Sequence, residues 1–471
     1  MIKISIVSKK KVCTLASNRQ KLYIILISGM GMLLSTLDTG IINVALPFLQ
    51  RQFNASTSVT ALSVVGYTLS LAICILPFGY LGDRIGKLKI SLTGLIVFGI
   101  GSALCGLAGS IMTLILFRII QGVGAAALQS TSAALVTTFI DKRQVPKALG
   151  ILGIMIGLGP VLGPSIGGFL LALNAWRFIF WLNIPFALLG ILCNYHLLVH
   201  IDETIQKKAF DRAGSIISAV AITLLLSGFS LLGRNHHFAT GASFVFIGIL
   251  AFFVFYYYEK TAASPLLDFK QLAKTPRIWL YLGETAVFGF VSAIIFLIPP
   301  YIFENLMKIN TGTTGLLVLG APVGLVIFSR LSGKQNDGSK NQSFSLLGLL
   351  IIAIALLGLA LVVASWPAFI ITGLLFVFGI GGGYFQPANI AAIMQTGSQT
   401  AQGTLGSLQR MLQNIAIASG TSIGASIINL THPYLSSGIR ISWSMAFAIT
   451  AGILVVALVT NKHHSRQYYK G

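Results

Sequence analysis

The sequence predicts an all-α integral membrane protein: two six-helix bundles with two further helices inserted between them, fourteen crossings in total. Three observations lead there. Of 471 residues, 55% are hydrophobic and only 9% charged, too few charges to keep a soluble chain of this length hydrated. The apolar runs reach the roughly 20 residues a helix needs to cross a bilayer, whereas a β-barrel would show short alternating segments. A loop after the second run, Gly79-Tyr-Leu-Gly-Asp83-Arg84-Ile-Gly86-Lys87-Leu-Lys89, returns in weaker form after the tenth as Gly333-Lys334-Gln-Asn-Asp337-Gly338-Ser-Lys340. Repetition of that kind is common in membrane transporters and divides the chain into two halves.

The first six runs cover residues 22–48, 59–81, 91–107, 111–139, 148–173 and 178–199. Two more, 214–232 and 241–258, read as the insertion, because the inner loops flanking them are the longest in the chain. The last six are 278–301, 313–328, 344–364, 368–394, 404–430 and 441–459, the fourth-last parted from its neighbour at Pro367. The expected organisation is an N-terminal segment 1–21, a bundle 22–199, a linker with the inserted pair 200–276, a second bundle 277–461 and a tail 462–471.

The formal net charge of +21 suggests nucleic acid until the charges are placed. Lysine and arginine crowd one set of loops, among them Arg84, Lys87, Lys89, Lys142, Arg143, Lys207 and Lys274, together with both chain ends. The opposite loops hold only Arg51, Arg177, Arg234, Lys308 and Arg440. This asymmetry places both termini in the cytoplasm of a multi-pass plasma-membrane protein, and an even number of crossings satisfies it. The first run is too long for a signal-peptide core and is expected to be retained. Cys13, Cys74, Cys105 and Cys193 are scattered, so neither a disulfide framework nor a metal site is expected. His236 and His237 stand in an outer loop without companions. The string Gly122-Val-Gly124-Ala-Ala-Ala127 fits a dinucleotide fingerprint but follows no strand.

Three motifs follow the inner loop's order in the first half. The loop itself carries Gly79, Asp83, Arg84, Gly86 and Lys87. The fourth run holds Arg118-Ile-Ile-Gln121-Gly122-Val-Gly124. The fifth holds Gly157-Leu-Gly159-Pro160-Val-Leu-Gly163-Pro164-Ser-Ile-Gly167-Gly168. Its glycines at every fourth residue form one bare helical stripe, which lets another helix come close, and its prolines remove backbone donors and bend the helix. The stripe reads either as close packing or as a hinge between bundles. With Leu37-Asp38-Thr39-Gly-Ile-Ile-Asn43-Val-Ala45-Leu-Pro47 and Trp176-Arg177-Phe-Ile-Phe-Trp-Leu-Asn183-Ile-Pro185, these motifs resemble the major facilitator superfamily. More narrowly they resemble its fourteen-helix drug:proton antiporters, the EmrB/QacA type. The resemblance implies a major facilitator fold, a glycine–proline motif associated with antiport, a functional aspartate at Asp38, and an inner-loop latch that holds one access state.

Two acids lie within the apolar runs, Asp38 and Glu284. A charged residue at the bilayer centre costs about 2.5–3.5 kcal/mol on insertion scales, so each needs a partner, a cavity or a proton. Asp38 either holds two helices together as an ion pair or takes part in proton coupling. It lies roughly 25 Å from the inner face at 1.5 Å per residue, and Arg118 enters from the opposite side, so the two should meet in the outer half. Glu284 and Arg410 both start from the inner face at similar depth, roughly 10 Å in, and form a possible second pair. Glu284 otherwise snorkels to the inner interface. In the inner loop, Asp83 is expected to cap the third helix while Arg84 and Lys87 reach the other bundle. Tyr67, Gln121, Tyr301 and Phe385 are possible cavity-lining residues. Tyr256, Tyr257 and Tyr258 read as an interfacial aromatic belt.

The expected function is proton-coupled secondary export of small lipophilic or cationic compounds by alternating access. A narrower exporter of a metabolite, amino acid or lipid is the alternative on the same fold. Substrate and proton would compete at Asp38, the bundles would pivot along Gly159, Gly163 and Gly167, and the loop from Gly79 would stabilise the outward-open state. No cofactor is expected, the proton gradient supplying the drive. Expected partners are the substrate, protons and lipid for a monomer, without nucleic acid. A membrane enzyme would need catalytic groups clustered at one depth, and buried His, Asp and Glu are too scarce for that.

Overall fold

The structure is a computed structural model that describes residues 18–141, 144–203, 210–232, 237–262, 265–267, 269–273, 275–336, 340–361, 366–396, 402–431 and 434–468. The described residues form helices and no strand. The first half contains α1 (Asn18–Gln52), α2 (Thr57–Ile85), α3 (Lys87–Gly106), α4 (Ile111–Phe139) and α5 (Val145–Ala172), then a short α6 (Phe178–Trp181) that runs into α7 (Asn183–His200). Next come α8 (Arg212–Leu232), α9 (Phe238–Thr261) and a single turn α10 (Phe269–Ala273). The second half contains α11 (Arg277–Tyr301), continued by a π-helical turn Ile302–Leu306, then α12 (Thr311–Leu317), α13 (Gly320–Gln335), α14 (Asn341–Ala360), α15 (Ala368–Thr396), α16 (Gln402–Leu430) and α17 (Leu435–Tyr468).

Thirteen helices among the described residues are long and apolar enough to cross a membrane. The remaining expected crossing, α5, is a 28-residue helix whose described apolar stretch is Leu162–Ala172. The run expected at 313–328 is broken into α12 and α13 between Leu317 and Gly320. Most helices outrun their apolar cores. As a result α9 and the turn after α11 take in Glu259 and Glu304, two buried acids that lay beyond the apolar runs.

Local sequence explains the helix ends. Ser56 caps α2 by accepting from the Val59 N–H at 3.4 Å. Ser110 and Thr113 cap α4 reciprocally, at 3.2 and 3.1 Å, each satisfying an orphan N–H of the first turn. Gly86 has φ of 114°, a conformation that favours glycine, and it separates α2 from α3.

Within a bilayer, apolar surface gives helices little reason to associate, so close backbone approach through small residues matters more. A Cβ on Gly122 of α4 would lie 2.9 Å from that of Ser70 on α2, and one on Gly101 of α3 2.7 Å from the Gln121 Cα. Gly381 of α15 lies equally close to Gly348 of α14, which accounts for the glycines after Phe378 as packing. The stripe on α5 does the same against α1: Gly159 meets Thr36 and Leu37, Gly163 meets Gly40, and Gly167 meets Ile41. These three glycines face a helix of their own bundle, and Pro160 keeps α5 helical, with its side chain outside the described residues. One position further round the helix, the Pro164 carbonyl and Gly168 meet Gly315 of α12, in the other half.

The halves also meet along α2 and α16, where Gly79 lies beside Ser407. The α8–α9 pair packs on itself through Gly228, Gly241 and Gly248. It then covers this α2–α16 seam, with Ile222 and Leu226 joining Ala72, Ile75, Met411 and Ile415 in one buried cluster. Ser426 of α16 donates to the Phe229 carbonyl at 3.3 Å. The two ends of the molecule differ in charge. The lysine-rich end carries Arg84, Lys87 and Lys89, and the sparse end carries Arg51 and Lys308.

Candidate functional site

The most connected polar site lies inside the first half. Asp38 of α1 is 2% exposed and Arg118 of α4 is fully buried, and they form an ion pair. Around them, α3, α4 and α7 converge. Gln121 Nε2 donates to Asp38 Oδ1 at 2.9 Å and to Ser102 Oγ at 2.8 Å. Asn183 Nδ2 donates to the same aspartate oxygen at 3.2 Å. Arg118 also donates to Gln121 Oε1 at 2.7 Å and to the Ser63 carbonyl of α2 at 3.0 Å. Its guanidinium lies 4.1 Å from the centre of the Tyr67 ring, whose hydroxyl donates to the Ser35 carbonyl at 3.2 Å. The aspartate thus receives three charged or polar donors from α4 and α7, and Ser63 of α2 and Ser102 of α3, bound to Arg118 and Gln121, extend the network to five helices.

The second-half acid is built differently. Glu284 of α11 is also 2% exposed. Its Oε2 accepts from Ser345 Oγ of α14 at 2.8 Å and from Asn389 Nδ2 of α15 at 2.9 Å. Asn389 is held in turn by the Tyr281 carbonyl at 3.1 Å and by the Thr285 hydroxyl, which donates to it at 2.7 Å. Among the described residues no cation pairs with Glu284. The expected Glu284–Arg410 pair does not form. Similar depth was the reason to expect it, but Glu284 turns to Ser345 of α14 and Asn389 of α15 instead. Nor does Glu284 snorkel, since neutral donors from α14 and α15 enclose it.

The four possible cavity-lining residues are all buried: Tyr67 and Gln121 at 0%, Tyr301 and Phe385 at 1% exposure. Tyr67 and Gln121 belong to the Asp38–Arg118 network, and Phe385 packs on Phe288 with ring centroids 5.0 Å apart. Tyr301 joins the core at the end of α11. In this structure they are core and network residues.

The inner loop also differs from expectation. Asp83 does not cap α3. Glu203, beyond the end of α7, does so: its carboxylate accepts the N–H of Lys87 at 2.6 Å and of Leu88 at 3.2 Å. A carboxylate there satisfies orphan donors and complements the helix dipole. Asp83 pairs with Lys87 one turn on, at 2.9 Å. Arg84 is exposed, and among the described residues neither it nor Lys87 has an ion pair to the other half. Within the loop motif, Gly79 lies beside Ser407 of the opposite bundle. The echo residue Asp337 lies outside the described residues.

At the sparse end, an unexpected link joins the halves. Arg51 at the end of α1 donates to Glu304 at 2.6 Å. The glutamate side chain is 3% exposed and the arginine 53%. Both residues lie just outside the apolar runs, which is why run-based reading passed them over. Glu203 was visible only as one of few acids in an inner loop. Asn183 was visible as part of a motif, without a partner.

Comparison with known proteins adds to this geometry. The family profile described as Major Facilitator Superfamily matches residues 29–421. The chain is 29% identical over 454 residues to the riboflavin transporter RibZ of Clostridioides difficile, covering 94% of this chain and 97% of that one. It is 30% identical over 321 residues to the multidrug resistance protein Stp of Mycobacterium tuberculosis, covering 67% of this chain and 59% of Stp. Among solved structures, a POT family transporter in complex with 5-aminolevulinic acid superimposes with a TM-score of 0.70 at 12% identity, over 92% of this chain and 96% of that one.

Proposed function

The chain belongs to the major facilitator superfamily, and on that premise we propose that it is a proton-coupled secondary exporter of the fourteen-helix drug:proton antiporter type. The lysine-rich end faces the cytoplasm of a plasma membrane, following the asymmetry of basic residues. The observation that carries the coupling is the burial of Asp38 against a single cation, Arg118, inside a network that reaches five helices. Adding a proton to Asp38 removes the counter-charge of a guanidinium that itself stays charged. Arg118 is then left with the Ser63 carbonyl, Gln121 and the Tyr67 ring, so the network must rearrange.

That rearrangement has a mechanical route. Asp38 and Arg51 share α1, roughly 20 Å apart at 1.5 Å per residue. Arg51 grips Glu304 of the other half, and Gly168 abuts Gly315 nearby, so the sparse end is held shut in this state. A shift of α1 driven at Asp38 loosens that end, while Gly79 and Ser407 maintain the α2–α16 seam. Such coupling needs a two-state element biased from both sites, and the bundle pair supplies it.

The substrate is a small organic compound. The relative named as a multidrug resistance protein supports lipophilic or cationic drugs, and the relative named as a riboflavin transporter supports a narrower metabolite exporter. The test is collapse of a pH gradient in energised inverted vesicles on adding lipophilic cations, neutral antibiotics or riboflavin. Wild type is compared with Asp38→Asn at equal membrane abundance. Substrate-dependent proton release that vanishes in the variant is the expected result. Equal release by both proteins would remove Asp38 from the mechanism.

A further inference from the structure

Arg410 has no hydrogen-bond or ion-pair partner among the described residues, and it lies roughly 12 Å into α16 from Gln402. Its neighbours along the helix fix the direction of its side chain. Three residues earlier, Ser407 stands beside Gly79 of α2, in the opposite half. Four residues earlier, Gly406 lies beside Met394 of α15, and three residues later Gln413 lies against Gly289 of α11. Positions three and four apart share a helix face. Arg410 therefore leaves α16 between the α2 side and the α11–α15 side, at the seam between bundles. It is partly rather than fully buried.

A second observation sits one turn further along the same face. Asn414 is 8% exposed, and its Nδ2 donates to no described residue. Two neighbouring donor groups thus lack acceptors. The acid at comparable depth, Glu284, is already engaged by Ser345 and Asn389.

A guanidinium remains charged in any accessible environment. Held within a membrane protein without a counter-charge it is costly, and such residues characteristically mark substrate or ion pathways. Its planar fork matches a pair of oxygen acceptors, and the asparagine amide adds a third donor beside it. We infer that Arg410 and Asn414 bind the transported compound through an anionic or imide-type oxygen acceptor, a carboxylate being the simplest case. This rests on the transporter reading and narrows it: purely cationic compounds are disfavoured at this position, and compounds with a planar acceptor edge are favoured.

The test uses full-length protein in proteoliposomes under an imposed pH gradient, with three probes: carboxyfluorescein as the anion, riboflavin as the neutral imide and rhodamine 6G as the cation. Wild type is expected to move carboxyfluorescein or riboflavin. Arg410→Gln should raise the KM for the probe moved by roughly tenfold or more, because a charge-assisted contact is lost, with kcat less affected. Arg410→Lys, which keeps the charge and loses the fork, should fall between the two and shows whether loss in the first variant reflects folding. Movement of rhodamine 6G alone, or of none of the three, overturns the inference. So does an equal fall in kcat for every probe, which would assign Arg410 to the movement of the bundles. The transporter reading is decided separately by the Asp38→Asn vesicle assay.

Discussion

Asp38 and Glu284 are equally buried, one in each half, yet their surroundings make them different chemical objects. Asp38 is joined to Arg118 and receives Gln121 and Asn183 as well, so charge is balanced within a single bundle. Among the described residues Glu284 receives the neutral Ser345 and Asn389. The arginines mirror the acids: among the described residues Arg118 is paired, and Arg410 is not. The first half therefore holds its charges as one neutral unit. Among the described residues the second leaves acid and base apart, Glu284 with neutral donors. Burial alone does not distinguish these cases. The counter-charge does.

The largest effect should come from breaking the neutral unit. Arg118→Gln strips a buried carboxylate of its cation, and removing one member of such a pair typically costs about 3–5 kcal/mol. The expected result is a clear fall in the melting temperature of the detergent-solubilised protein. Replacing both charges, Asp38→Asn with Arg118→Gln, should recover most of that loss, since a neutral hydrogen-bonded pair avoids the uncompensated charge. The double variant should still fail to couple export to protons. A double variant that regained both stability and proton-coupled export would make the pair a structural clamp.

A smaller and more selective effect is expected at Glu284. Glu284→Gln keeps shape and leaves the carbonyl oxygen to accept from Ser345 and Asn389, so stability should change by less than about 1 kcal/mol. If the acid without a cation takes up a proton during the cycle, protons released per substrate should fall measurably while substrate affinity stays within a few-fold. An unchanged ratio in vesicles would erase the functional half of the comparison and leave two structural acids.

How far the sequence announced this depends on which coordinate was needed. The apolar runs located the crossings, because length and composition are sufficient for a helix that must satisfy its own backbone in lipid. Depth along the helix was also legible, and it brought Asp38 and Arg118 to the same level from opposite sides. Depth did not suffice for Glu284 and Arg410, whose meeting also needed the right azimuth. The α5 stripe makes the same point at one-residue resolution. Gly163 and Gly167 face α1, while Pro164 and Gly168, one step round, face α12. Neutral partners were hidden for another reason: Ser345 and Asn389 are among many similar residues in apolar runs. Glu203 displaced Asp83 as the cap because a carboxylate from beyond α7 reaches the N–H groups of Lys87 and Leu88.

The smallest effect concerns the ion pair that joins the halves among the described residues. Arg51 and Glu304 differ in exposure, 53% against 3%, so solvent screens the arginine while the acid is enclosed. A partly exposed pair is worth up to about 1 kcal/mol, or roughly a fivefold shift between closed and open sparse ends. Glu304→Gln should produce that shift without altering the Asp38–Arg118 unit, which lies deep within the first bundle. Spin labels at Gln52 and Lys308, both exposed at that end, would report it as a larger long-distance population in pulsed dipolar measurements. Because α1 carries both Asp38 and Arg51, Asp38→Asn should move the same distance distribution in the same direction. If Glu304→Gln opens the end and Asp38→Asn leaves it unchanged, α1 does not transmit the charge state of the buried pair. The two halves would then be coupled elsewhere, with the α2–α16 seam at Gly79 and Ser407 and the α5–α12 contact at Gly168 and Gly315 to test next.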